Sequence, residues 1–134
     1  MSSSKPADKP IKKKSSGKID KRVKIGRQYE QLAAKFYQDN DYIILETNWQ
    51  ASHLEIDLIV QKGNTIAFVE VKSTSSKKYG HPAERVDRRK QDNLIKAAQK
   101  YLQENNIKDF DLRFDVVTFV NGQLEHYPNA FGVE

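Results

Sequence analysis

Charged side chains inside otherwise apolar stretches are the features of this chain most suited to chemistry. Glu55-Ile56-Asp57 sets two carboxylates two residues apart, and Glu70-Val71-Lys72 sets a carboxylate and an ammonium at the same spacing. In a β-strand that spacing puts both members of a pair on one face. Twelve residues separate Asp57 from Glu70 and include Lys62-Gly63-Asn64, so the two segments read as a hairpin that brings Asp57 and Glu70 close. Burying such charges costs several kcal/mol unless they are paired or bind a metal. A hard divalent cation such as Mg²⁺ would resolve the clustering, since it takes carboxylate oxygens and a backbone carbonyl and keeps some waters. The bland alternative is that Glu70 and Lys72 pair with neighbours on a solvated edge. For an isolated Glu-x-Lys that alternative would win.

Two helical stretches add polar groups at telling positions. In the first, Tyr29, Leu32, Ala33, Phe36 and Tyr37 recur at steps of three and four, and Glu30 lies at the border of that apolar face. In the second, Asp87, Lys90 and Gln91 extend the stripe of Leu94, Ala98 and Tyr101 toward the helix start. A polar cap on an apolar stripe means that the first turns face something charged or wet, or else that they fray into solvent. Arg89, on the opposite side, reads as plain surface. His53, His81 and His126 fall in separate elements without ligand spacing, which argues against a histidine metal site. Trp49 and Asp115 read as structural.

These residues need a scaffold, and the hydrophobic pattern supplies one. The order read from the chain is a helix from Ile25 to about Asp39, then strands at Tyr42–Asn48, Leu54–Val60 and Thr65–Lys72. A polar loop, Ser73–Pro82, leads to a helix from about Val86 to Glu104. A strand at Phe114–Val120 and the hairpin signal Asn121-Gly122 lead into a last strand at Gln123–Tyr127.

At 134 residues, against ~150 per domain, the chain reads as one domain. Its hydrophobic fraction of 37% supports a core, and the absence of cysteine excludes disulfides and thiol nucleophiles. No apolar run approaches the ~18 residues of a membrane span, so the expectation is a cytosolic protein without membrane contact. The net charge of +5 is uneven. Residues 1–24 hold nine Lys or Arg against Asp8 and Asp20 and read as a disordered basic tail, leaving a domain at 25–134. Inside the domain, Lys72 to Lys100 holds nine basic residues against three acidic ones. Lys77, Lys78, Arg85, Arg88 and Lys90 are its candidate phosphate contacts.

The run from Gly26 to Val120 resembles the PD-(D/E)XK nuclease superfamily, and within it the bacterial YraN-type endonuclease-like family. The resemblance rests on Gly26 with Glu30, Asn48, Glu55-Ile-Asp57-Leu-Ile, Phe68-Val-Glu70-Val-Lys72, Gly80 with Pro82-Ala83, Val86 with Lys90-Gln91, and Arg113-Phe-Asp115-Val-Val. One departure is Leu54, where the family usually has glycine before Glu-Ile-Asp. The resemblance implies a restriction-endonuclease-like αβββαβ core, a mixed sheet flanked by helices, which matches the element order above. It implies that Asp57, Glu70 and the Val71 carbonyl hold Mg²⁺ or Mn²⁺, with help from Glu30. Lys72 would orient or deprotonate the attacking water, and Gln91 or Lys90 would steady the scissile strand. The implied partner is nucleic acid, DNA first, with branched or damaged forms as candidate substrates. Two rival readings are a nucleic-acid-binding module that keeps the fold without turnover, and a protein-interaction domain whose basic tail and helix meet an acidic partner. The intact Asp57, Glu70 and Lys72 set favours the nuclease.

Overall fold

The computed structural model describes residues 21–75 and 86–132, with side chains from residue 26 onward. Its elements are α1 (Lys21–Asp39), β1 (Ile43–Ala51), β2 (Leu54–Lys62), β3 (Thr65–Thr74), α2 (Arg88–Glu104), β4 (Asp111–Val120) and β5 (Gln123–Phe131). The order matches the sequence expectation, with several element ends shifted by one to four residues. Helix α1 begins at Lys21 instead of Ile25, so residues 21–24 belong to it and not to the tail. Helix α2 begins at Arg88 instead of Val86, because the Asp87 side chain caps it by accepting from the Lys90 amide at 2.8 Å. Strand β5 runs on to Phe131. The rest of the basic tail, and Gly80, His81 and Pro82 of the loop, lie outside the described residues.

The five strands lie in sequence order, antiparallel except for the parallel pair β3 and β4. A parallel pair cannot be closed by a tight turn, and the crossover carries α2. On one face, Ile59, Ile66, Phe68, Phe114 and Val116 pack with Leu94, Ala97, Ala98 and Tyr101 of α2. On the other, Leu58, Val60, Ala67, Val69, Val117 and Phe119 pack with Ala33 and Tyr37 of α1. Both faces of the central strands are therefore buried, which explains their nearly unbroken apolar sequence. Among the described residues, neither helix is long and apolar enough to cross a membrane.

The α1 face also holds a fully buried charge. Asp115 accepts from Tyr37 Oη at 2.8 Å, from Arg113 Nε at 2.8 Å and Nη2 at 2.9 Å, and from the Asn129 amide at 3.0 Å. His126 Nε2 lies 3.0 Å from the same carboxylate. Asp115 is structural, as its position in a strand suggested.

Candidate active site

Strands β2 and β3 are paired from Lys62–Thr65 up to Leu58–Val69 and no further. Asp57 and Glu70 are the next residues along, so they flank the gap where the two strands part. Both are buried in spite of their charge. The gap is bridged by a side chain: Asp57 Oδ2 accepts from the Val71 amide at 2.8 Å. In an extended strand the N–H and C=O of one residue project toward the same neighbour, so the Val71 carbonyl faces this gap as well. The hairpin read from the sequence is present, and it brings Asp57, Glu70 and Val71 together.

The charges in the gap are held under tension. Burial, the Glu70 charge and the Glu30 charge push Asp57 up to about 8, against the pull of the Val71 amide and Lys90. Burial likewise raises Glu70, opposed by Lys90 and Lys72. Two carboxylates in one dry site cannot both ionise cheaply, so a proton is shared unless a cation replaces it. The Lys90 ammonium stands 3.8 Å from Glu70 Oε2 and supplies part of that charge.

Two buried side-chain oxygens among the described residues lack any hydrogen-bond partner, Glu30 Oε1 and Thr118 Oγ1. Both flank this site. Glu30 acts on Asp57 through its charge, and Thr118 lies directly opposite Lys72 in the parallel pair. Orphaned buried oxygens are rare in folded proteins, and a hard cation with its waters is one group that would satisfy them. Among the described residues no three acidic or histidine groups converge tightly enough to hold an ion alone. The donor set is instead two carboxylates and a main-chain carbonyl, which suits an ion that keeps several waters. The residues present therefore fit the cation.

Other expectations fare differently. Glu55 is exposed, 3.5 Å from Gln50 Nε2, and unlike Asp57 it is not buried in the gap, although its charge helps to raise Glu70. The same-face reading fails because the alternation slips inside β2: Ile56 packs on the α2 side and Leu58 on the α1 side. The Gln91 amide donates to the Val86 carbonyl at 2.9 Å and so ties the entry of α2. Arg88 is exposed, 3.6 Å from Asp92. Lys77, Lys78 and Arg85 lie outside the described residues. Thr118 escaped the sequence reading because a threonine in a β-branched strand carries no signal of its own. Only its register against Lys72 marks it.

The raised Asp57 carboxyl has a measurable consequence. The unfolded Asp57 carboxyl ionises near its ordinary value of 3.8, whereas the folded one holds its proton up to about 8. Between those values the folded state binds more protons, so its stability falls as pH rises. Without divalent cations the melting temperature should decline from about pH 5 to pH 8, and Asp57→Asn should flatten that decline. Mn²⁺ should restore stability at the alkaline end far more than at the acid end. Equal stabilisation by Mn²⁺ at both ends would contradict this description of the gap.

A sequence profile described as an uncharacterised protein family, UPF0102, matches residues 29–119. The chain is 38% identical to a UPF0102 protein of Persephonella marina over 109 residues, covering 81% of this chain and 94% of the relative. It is 43% identical to one of Chloroherpeton thalassium over 109 residues, covering 81% and 83%. With one of Acetivibrio thermocellus the identity reaches 49% over 89 residues, covering 66% and 68%. The profile spans the first helix to the fourth strand and so contains Glu30, Asp57, Glu70, Lys72, Lys90 and Thr118. The chain belongs to UPF0102, the YraN-type family of the restriction-endonuclease-like superfamily.

Proposed function

We propose that this protein is a cytosolic, divalent-cation-dependent nuclease that hydrolyses phosphodiester bonds in DNA. The observation that carries this reading is the strand gap in which Asp57, Glu70 and the Val71 carbonyl meet, flanked by the unpartnered Glu30 oxygen and by two lysines. Asp57, Glu70 and Val71 would hold Mg²⁺ or Mn²⁺, with Glu30 in support. When bound, such an ion neutralises charge on the phosphoryl oxygens as a Lewis acid.

The remaining chemistry belongs to the chain. Lys72 shares a strand face with Glu70 and acts on its charge. Its ammonium can orient the attacking water and offset the charge that builds on the phosphoryl oxygens in the transition state. Lys90, half-exposed at the first turn of α2, can exchange its contact with Glu70 for a phosphate once a cation takes over the carboxylate. Thr118 offers a hydroxyl beside Lys72.

Calorimetric titration with Mn²⁺ tests the site. Wild type should bind one ion, and Asp57→Ala or Glu70→Ala should abolish that binding. Unchanged binding in both variants would overturn the assignment. DNA affinity should also fall with salt, log K dropping ~0.9 per log unit of salt for each phosphate neutralised. Replacing Lys77, Lys78, Arg85 and Arg88 with alanine should make that slope shallower, and an unaltered slope would remove this basic stretch from the interface.

A further inference from the structure

The departure of Asp57 from the sheet coincides with an irregularity on the neighbouring strand. β1 and β2 are paired at Thr47–Leu58 and at Trp49–Ile56. Asn48 thus stands opposite Asp57, and no pair is formed at that level. Asn48 has φ 52°, a left-handed backbone in the middle of a strand, which asparagine tolerates better than most residues. Its side chain is exposed, so the position draws on the backbone of asparagine more than on its amide.

Both strands change phase at this level. Ile56 and its partner Trp49 lie in the α2-side core, and Trp49 meets Tyr101 edge-on at 5.4 Å. One pair further along, Leu58 lies in the α1-side core. Regular pleating would put Ile56 and Leu58 on one face. The change of face is completed across Asp57, whose side chain is thereby left in the plane of the sheet, where it reaches the Val71 amide of β3. A flat, regular β1 would keep β2 in phase and turn Asp57 onto one of the two apolar faces.

We infer that Asn48 is a positioning residue for Asp57: its left-handed backbone creates the paired phase slip that aims the carboxylate into the β2–β3 gap. This rests on the proposed cation site for its purpose, but not for its geometry. Residues with a β-branched side chain resist positive φ, whereas glycine adopts it freely.

The test compares Asn48→Gly and Asn48→Val with a control of matched backbone, Asn106→Val, at φ 53° beyond α2 and away from the gap. Two readouts serve, each on the full chain: hydrogen exchange at the Val71 amide, and Mn²⁺ affinity per folded molecule. Asn48→Gly should match wild type in both. Asn48→Val should lose protection at Val71 and bind Mn²⁺ ~10–100-fold more weakly, as removal of supporting groups at metal sites does. Asn106→Val should lower stability and leave both readouts unchanged. If Asn48→Val does not fold, Asn48→Ala is read in its place, with the same losses expected.

Unchanged Val71 protection in the Asn48 variants would overturn the inference. So would equal losses in Asn106→Val, or losses in Asn48→Gly as large as those in Asn48→Val. Should wild type bind no Mn²⁺, the cation site fails, while exchange at Val71 still decides the role of Asn48.

Discussion

Lys72→Ala should lower the rate of DNA cleavage by ~10²–10³, the usual cost of removing one group that stabilises transition-state charge. The expectation follows from where the ammonium sits. It lies on the face of β3 that carries Glu70, close enough to act on that carboxylate, and half-buried beside the gap. Charge on the phosphoryl oxygens grows between bound substrate and transition state, so the interaction with Lys72 strengthens along the reaction. The variant should keep its fold, its Mn²⁺ affinity and nearly all of its DNA affinity, with the loss in kcat and not in KM. Single-turnover cleavage beside a DNA-binding titration separates the two. An equal loss of binding and cleavage would make Lys72 an ordinary phosphate contact.

The second large effect concerns stability. Asp115→Ala should lower the unfolding free energy by ~3–5 kcal/mol, because it strips a charged hydrogen-bond partner from groups that stay behind in the interior. Arg113, Tyr37, His126 and the Asn129 amide all converge on this carboxylate. Burial alone would raise Asp115, but the contacts from His126, Arg113, Asn129 and Tyr37 outweigh it and hold it well below the usual carboxylate range. A depressed native value gives stability that is complete above the unfolded carboxyl's ~3.9 and is lost as pH falls toward the native value. Urea unfolding at neutral pH and in acid should therefore show a gap between wild type and Asp115→Ala that narrows in acid. A gap of under ~1 kcal/mol at neutral pH would mean that the surrounding groups repartner freely.

Much of this was legible in the chain, for identifiable reasons. The element order followed from periodicity, because the helices carry clear apolar stripes and the central strands are short apolar runs between turn residues. Asp57 and Glu70 could be brought together because a short turn leaves the hairpin little choice of register. The polar start of α2 pointed correctly at the site, and Lys90 reaches Glu70 from there. Glu55 was misplaced because strict alternation cannot show a phase slip, and the slip is caused by a backbone angle at Asn48 in another strand. The Asp115 network lay beyond reach for a different reason. Its Tyr37 partner is 78 residues away in sequence, and only the packing of α1 on β4 brings the two into contact. Thr118 becomes visible only once β3 and β4 are known to be parallel and in register.

Turnover at the β2–β3 gap is what separates a nuclease from a module that only binds DNA. The most direct measurement offers wild type and Glu70→Ala a panel of flap, junction, single-stranded and duplex DNAs with Mg²⁺, with Mn²⁺ and with chelator. Wild type should cut at least one of these forms in the presence of either ion, with no cleavage in chelator and none by Glu70→Ala. Wild-type protein that binds these DNAs tightly yet leaves all of them uncut with both ions would contradict the nuclease reading, and so would cleavage by Glu70→Ala at the wild-type rate.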